Sequence, residues 1–291
     1  MADRTTGLFH HDNMDFPEEK RVLPLFDLKG RTAIVSGAGA GIGLAAAYAF
    51  AEAGANVAIW YNSNKKAIDE AKKIEQTFGV KCKAYSVDVV SLQAVEEAIE
   101  EAVKDFNGRL DIFVANSGLA WLDGPFIDGD LTRVQDIMRV NVDGVMWCAK
   151  VAGAYFRRQK KQGTTIDGQP LTNFIAGSFI ATASMSGSIV NIPMPQAVYN
   201  GSKANVIHFC KSLAVEWTGF ARANTISPGY IKTDISLTVP AEVKKIWKDK
   251  TPFGREGEPH ELKGAFLYLA SDASSYTTGL DMVVDGGYSL P

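Results

Sequence analysis

Short apolar runs recur along this chain, each followed by a stretch long enough for several helical turns. The runs at residues 32–36 (TAIVS), 56–61 (NVAIWY), 82–87 (CKAYSV) and 110–115 (LDIFVA), and later at 179–183, 222–226 and 282–284, have the length and side-chain types of strands. They do not alternate cleanly between apolar and polar residues. A strand that is apolar on both sides is covered on both sides, which indicates a parallel sheet between two layers of helix. The stretches at residues 43–54, 65–78 and 91–106 supply helices of the length that right-handed crossovers need. In the third of these, Val95, Ile99, Ala102 and Phe106 share one face and acidic residues take the opposite one. The fold class expected is therefore α/β, a doubly wound parallel sheet with helices on both faces.

No break in composition marks a second domain within the 291 residues. Residues 1 to about 25 show no sustained apolar period. The expected organisation is an extension over residues 1–26, flexible or draped on the surface, and one folded domain over residues 27–291. Residues 159–173 (QKKQGTTIDGQPLTN) are polar and turn-rich, and read as a surface loop between a helix and a strand. The 30 basic and 33 acidic residues leave a net charge of −3, without the basic excess that marks nucleic-acid binding. No apolar run approaches the ~20 residues of a membrane span. The polar first residues make neither a signal nor a transit peptide. Cys82, Cys148 and Cys210 are odd in number and far apart, so they read as reduced thiols of a cytoplasmic protein, with no metal site and no disulfide framework.

The first strand meets the first helix at Ser36-Gly-Ala-Gly-Ala-Gly-Ile-Gly43. A GxGxxG pattern started at Gly37 fails, because Ile42 takes its third glycine position. GxxxGxG fits, at Gly37, Gly41 and Gly43. Glycines there let backbone amides approach a pyrophosphate at the positive end of a helix, so the turn reads as a dinucleotide site on a single-domain, Rossmann-type sheet. The second strand ends in Tyr61-Asn62-Ser63-Asn64-Lys65-Lys66, with no carboxylate for ribose hydroxyls. Amide and hydroxyl donors followed by two cations suit a 2′-phosphate, which favours NADP(H).

Further along, Tyr199-Asn-Gly-Ser-Lys203 places a phenol and an ammonium four residues apart on one helical face. A positive charge nearby stabilises phenolate, so Tyr199 is expected to have a lowered pKa suited to general acid/base work.

The glycine pattern, Asp88 after the third strand, Ala115-Asn-Ser-Gly118 after the fourth, Asn141, Ser184, the Tyr199/Lys203 pair and Pro228-Gly229 occur in one order. Together they resemble the short-chain dehydrogenase/reductase family, from about Asp27 to the end of the chain. The resemblance implies that Tyr199 is the catalytic acid/base and that Lys203 binds the nicotinamide ribose and lowers the Tyr pKa. It also implies that Ser184 binds the substrate oxygen and that Asn141 holds a water of a proton relay. Ser36, Gly37, Gly41, Ile42 and Gly43 would hold the cofactor phosphates, and Tyr61, Asn62 and Ser63 its ribose phosphate. Asp88 and Val89 resemble the adenine-contacting pair. Asn116 and Gly118 match the motif that lines the adenine side and steadies the sheet. Pro228, Gly229, Ile231 and Thr233 resemble the loop on the nicotinamide amide and pyrophosphate.

Two positions depart from the family pattern. Ser36 stands where Thr is usual. The serine before Tyr199 aligns by its local sequence with Ser184, although Ser186 sits at the more frequent spacing; the choice of Ser184 assumes two inserted residues within 187–198.

Segments such as Ile59-Trp-Tyr-Asn-Ser-Asn64 and Thr182-Ala-Ser-Met-Ser-Gly187 are similar to the fungal ketose and polyol branch of that family. That branch implies reduction of a ketose to a polyol and the reverse oxidation, with Ser184, Ser186, Asn191 and Tyr199 as substrate partners. The alternatives are a broad carbonyl reductase, a 3-oxoacyl thioester reductase docking through Lys244, Lys245, Lys248 and Lys250, and a non-catalytic NADP sensor. The substrate lid is expected over residues 234–259. The apolar stretch 265–288 implies, by the same resemblance, a homotetramer.

Overall fold

Among the described residues seven strands make one sheet: β1 Thr32–Val35, β2 Asn56–Tyr61, β3 Cys82–Ser86, β4 Ile112–Ala115, β5 Gly177–Thr182, β6 Ala221–Pro228 and β7 Asp281–Val284. The computed structural model describes residues 6–9, 15–237 and 239–290. Every neighbouring pair of strands is parallel, and their order is β3-β2-β1-β4-β5-β6-β7. Helices α1 Gly41–Glu52, α2 Lys66–Phe78 and α3 Leu92–Asp105 link the first four strands. After β4 come α4 Leu131–Met138 and α5 Gly144–Gln162, and α6 Ala197–Glu216 joins β5 to β6. The chain then forms α7 Asp234–Leu237, α8 Ala241–Lys250 and α9 Lys263–Ala270 before β7.

Residues of one strand point alternately to two separate apolar layers, which explains why the strands showed no polar face. Ile34 joins α3, α5 and α6 on one side, with Phe113, Phe179 and Trp217 at its centre. Ala33 and Val35 join α1, α2 and α9 on the other, around Phe50, Ile74 and Phe266. Seven of the twelve residues of α1 are Gly or Ala, and Ala46 and Ala47 are fully buried, so it lies close against the sheet. α3 starts where Ser91 Oγ accepts the N–H of Ala94 at 3.2 Å, one of the donors that a helix start leaves unpaired.

One expectation is corrected. The polar run from residue 159 is not loop at its start, because α5 continues to Gln162. Gln159 lies one turn beyond the buried Phe156 and is only 1% exposed. Its side chain accepts from Leu110 N–H at 2.7 Å and donates to Leu110 C=O at 2.6 Å, fastening the entry of β4. Residues 163–176 do form the connection, with a bridge between Thr164 and Pro170.

The buried core begins at Leu28, whose N–H bonds Ala53 C=O at 2.8 Å. Residues 15–26 lie mainly at the surface, where Asp15 pairs with Lys160. Residues 1–5 and 10–14 of the expected extension lie outside the described residues. Among the described residues no helix is long and apolar enough to cross a membrane.

Candidate active site

The strand order reverses between β1 and β4. The chain leaves β1 toward α1 on one face and leaves β4 toward α5 on the other, so a crevice opens past their C-terminal ends. A cleft of about 410 Å³ occupies it, and Gly37, Gly41, Asn116, Gly118, Ser184, Tyr199 and Lys203 all reach its wall. Gly37 and Gly41 have φ of +62° and +58°, the left-handed backbone that a side chain would strain. A Cβ on Gly43 would stand 2.5 Å from Asn116 Nδ2 and 2.6 Å from Gly37 O.

Asn116 holds this turn: its Nδ2 donates to the carbonyls of Ser36 and Gly37, both at 3.1 Å, and its Oδ1 accepts from Thr182 Oγ1 at 3.0 Å. Ser36 is buried behind the turn, where its Oγ accepts the N–H groups of Asn116 and Ser117. Its side chain therefore shapes the turn from behind. The N-cap of α1 is Ala40, which offers no side-chain acceptor, so the first N–H groups of the helix stay open toward the cleft. Such a cradle fits a pyrophosphate. Thr233 packs over Gly41 and Ile231 joins it on the wall; Pro228 and Gly229 line the same side.

At the end of β2, Tyr61 is half-buried while Asn62, Ser63, Lys65 and Lys66 are exposed. Asn64 ties this corner to the glycine turn, donating to Gly39 O at 3.1 Å and accepting from Lys66 N–H at 3.2 Å. Beyond β3, the exposed Asp88 accepts from Val90 N–H, and Val89 is buried against Gly144.

α6 brings Tyr199 and Lys203 into the cleft one turn apart. Ser184 follows β5 at the start of the 3-10 turn Met185–Gly187, where its hydroxyl faces the Tyr199 phenol and accepts Ser186 N–H at 3.2 Å. Lys203 Nζ donates to Thr182 O at 2.8 Å and lies 5.7 Å from the centre of the Tyr199 ring. The expected lowering of the Tyr199 pKa is not found. Burial raises it, and only the hydrogen bond from Ser184 opposes the rise. Burial also lowers the Lys203 pKa to about 8, so the ammonium expected to stabilise phenolate is itself partly disfavoured.

Asn141 lies in a π-helical turn, Arg139–Asp143, between α4 and α5, and is fully buried. Its Oδ1 accepts Leu119 N–H at 2.7 Å; its Nδ2 donates to Leu119 O and to Ser202 Oγ, each at 3.0 Å. The side-chain amide is thus committed to protein partners. Gly118 leaves the space in which Asn141 and Lys203 approach: a Cβ there would be 3.3 Å from Asn141 Oδ1 and 3.5 Å from Lys203 Nζ.

Several wall residues carried no readable sequence signal. Gln196 borders the cleft, while Asn191, expected to touch substrate, is buried behind it. Tyr230 and Trp247 stack with ring centres 3.8 Å apart, Tyr230 from the end of β6 and Trp247 from α8. The lid bearing α7 and α8 is pinned at its base, where Gly257 N–H bonds Tyr230 O and Lys232 N–H bonds Gly257 O, both at 2.9 Å. Aromatic residues in a polar lid read as ordinary packing until this base is seen.

A family model described as enoyl-(acyl carrier protein) reductase matches residues 37–289. An L-xylulose reductase of Hypocrea jecorina is 74% identical over 285 residues, covering 98% of this chain and 99% of its own. The chain belongs to the short-chain dehydrogenase/reductase family. A probable NADP-dependent mannitol dehydrogenase of Yarrowia lipolytica is 50% identical over 273 residues, with 94% of this chain and 92% of that protein covered. The solved NADPH-dependent 3-quinuclidinone reductase of Rhodotorula rubra superposes with a TM-score of 0.88 at 39% identity, covering 97% of this chain and 100% of that one.

Proposed function

We propose that this chain is an NADP(H)-dependent oxidoreductase that reduces a ketose of the L-xylulose type to a polyol and catalyses the reverse oxidation. The observation that carries the reading is the meeting of the Tyr199 phenol, the Ser184 hydroxyl and the Lys203 ammonium in one cleft, opposite an open helix N-terminus. The named activities of the relatives in Hypocrea jecorina and Yarrowia lipolytica support the substrate class and the cofactor.

The glycine turn with Gly37, Gly41, Ile42 and Gly43 would hold the pyrophosphate, and Ser36 and Asn116 keep its shape. Asn62, Ser63, Lys65 and Lys66 would bind the 2′-phosphate, and Tyr61, Asp88, Val89 and Gly118 would border the adenosine. Pro228, Gly229, Ile231 and Thr233 would close over the nicotinamide half. When bound, NADPH supplies the hydride for the carbonyl carbon. Ser184 donates a hydrogen bond to the carbonyl oxygen, and Tyr199 gives its proton to the same oxygen as negative charge grows there. Lys203 faces the phenolate this leaves and stabilises it by charge. Asn141 keeps the 119 backbone and Ser202 in register with Tyr199, since Ser202 Oγ donates to Tyr199 O at 2.7 Å. Raised by burial, Tyr199 starts each reduction protonated, as an acid must.

The cytoplasm and a homotetramer are part of the same proposal. Three buried, unpaired thiols suit a reducing compartment. Among the described residues β7 has no strand on its outer side and Val283 is exposed, an edge that another subunit would cover. The test is NADPH oxidation over L-xylulose, sorbose, fructose and aryl ketones, repeated with NADH. Ketose turnover with NADPH well above that with NADH is expected. Turnover confined to aryl ketones would point to a broad carbonyl reductase instead.

A further inference from the structure

Gln196 occupies the N-cap of α6, three residues before Tyr199. A short polar residue there would accept from the free N–H groups of the helix start. Gln196 makes no such bond. Its amide turns into the cleft instead, where Nε2 donates to Ser186 Oγ at 3.1 Å and to Asn191 Oδ1 at 2.7 Å. Asn191 is held in turn, 3% exposed, with its Nδ2 donating to the Tyr230 hydroxyl at 3.4 Å. Tyr230 is fixed by its stack on Trp247. Both hydrogens of Nε2 are therefore committed, and the orientation of the amide is set from behind. Its Oε1 is left without a donor among the described residues. A helix start that gives up its cap while its side chain borders a cleft is a local sacrifice of the kind that functional sites make.

Ser186 sits on the same turn as Ser184, whose Oγ accepts its N–H. Ser186 Oγ already accepts from Gln196, so its own hydrogen remains to be given. One acceptor and one donor thus stand side by side, next to the serine that faces Tyr199. A substrate hydroxyl, which both donates and accepts, matches that pair; a methylene or methyl group does not.

We infer that Gln196, with Ser186, is the specificity-determining pair for ketones bearing a hydroxyl beside the reacting carbonyl. Gln196 Oε1 accepts from that hydroxyl and Ser186 Oγ donates to it, so α-hydroxy ketones are selected over plain ketones. This rests on the ketose reading above and adds the residue that enforces it. A site built to bond a hydroxyl discriminates strongly against the analogue lacking it, because the paired groups are then left unmatched.

The test measures kcat/KM with NADPH for L-xylulose, hydroxyacetone and butanone, the last two being similar in size and differing by a hydroxyl. In Gln196→Leu, kcat/KM for L-xylulose and hydroxyacetone is expected to fall about 10- to 100-fold, mainly through KM. Butanone turnover and the KM for NADPH should stay within about twofold. Equal loss on hydroxyacetone and butanone would overturn the inference, since Gln196 would then only brace Tyr199; no change on any substrate would overturn it too. Should Gln196→Leu not fold, Ser186→Ala removes the donor half and must shift the hydroxyacetone-to-butanone ratio in the same direction, an unchanged ratio counting against the inference. Failure of the ketose reading looks different: the unaltered enzyme would then show no preference for L-xylulose or hydroxyacetone over butanone.

Discussion

At the scale of single residues, the cleft combines groups whose burial costs stability with groups whose chemistry needs that burial. Lys203 shows the conflict. Its pKa of about 8 in the folded chain lies below the ordinary 10.5, so the unfolded chain binds the extra proton across that window. Stability contributed by this group therefore rises with pH from about 8 to about 10.5, and below the window the cost of the buried ammonium is present in full. That cost is of the order of 3 kcal/mol. Lys203→Met is expected to raise the melting temperature at neutral pH, with a smaller gain at alkaline pH, while abolishing turnover. Thermal melts of both proteins across pH, without cofactor, check this; a melting temperature lowered at all pH values would show that the bond to Thr182 O outweighs the charge. Tyr199→Phe tests the acid itself. It keeps the ring and removes the proton, so kcat should drop about 10²- to 10⁴-fold while NADPH affinity, read by fluorescence titration, stays nearly unchanged. Near-normal turnover in this variant would remove Tyr199 from the mechanism.

At the scale of elements, strands and helices were largely legible. β2 matches the apolar run at 56–61, and α3 falls within one residue of its expected ends, because buried strands and one-sided helices leave strong periods. The C-terminal end of α5 was not legible. Its polar residues look solvated until Gln159 is placed one turn past Phe156, facing β4. Periodicity shows which face is buried but not that a polar side chain on it has found backbone partners. Gln159→Leu would leave the Leu110 N–H and C=O buried and unpaired, with an expected loss of about 2–4 kcal/mol in urea unfolding. Turnover per folded molecule should stay near normal, because Gln159 lies at the entry of β4 and the cleft at its exit. A stability unchanged by this substitution would mean that water replaces both bonds.

For the whole molecule, assembly turns on one edge of the sheet. Among the described residues β7 bonds only β6, and Leu280, Val283 and Tyr276 are exposed. With a homotetramer expected, Val283→Arg should shift sedimentation toward smaller species at micromolar concentration, leaving the far-ultraviolet spectrum unchanged. A chain that sediments as a monomer before any substitution would refute the tetramer. By itself the sequence determined the doubly wound sheet, the glycine turn and the candidate pair Tyr199 and Lys203, because burial and helical spacing are local properties written in residue order. Only the tertiary structure decided what surrounds that pair. Asn191 belongs behind Gln196, Ser36 behind its turn, and the acidity of Tyr199 follows from desolvation rather than from its nearest cation. Those outcomes depend on which distant segments share a wall, and on how little water they leave between them, which no spacing along the chain records.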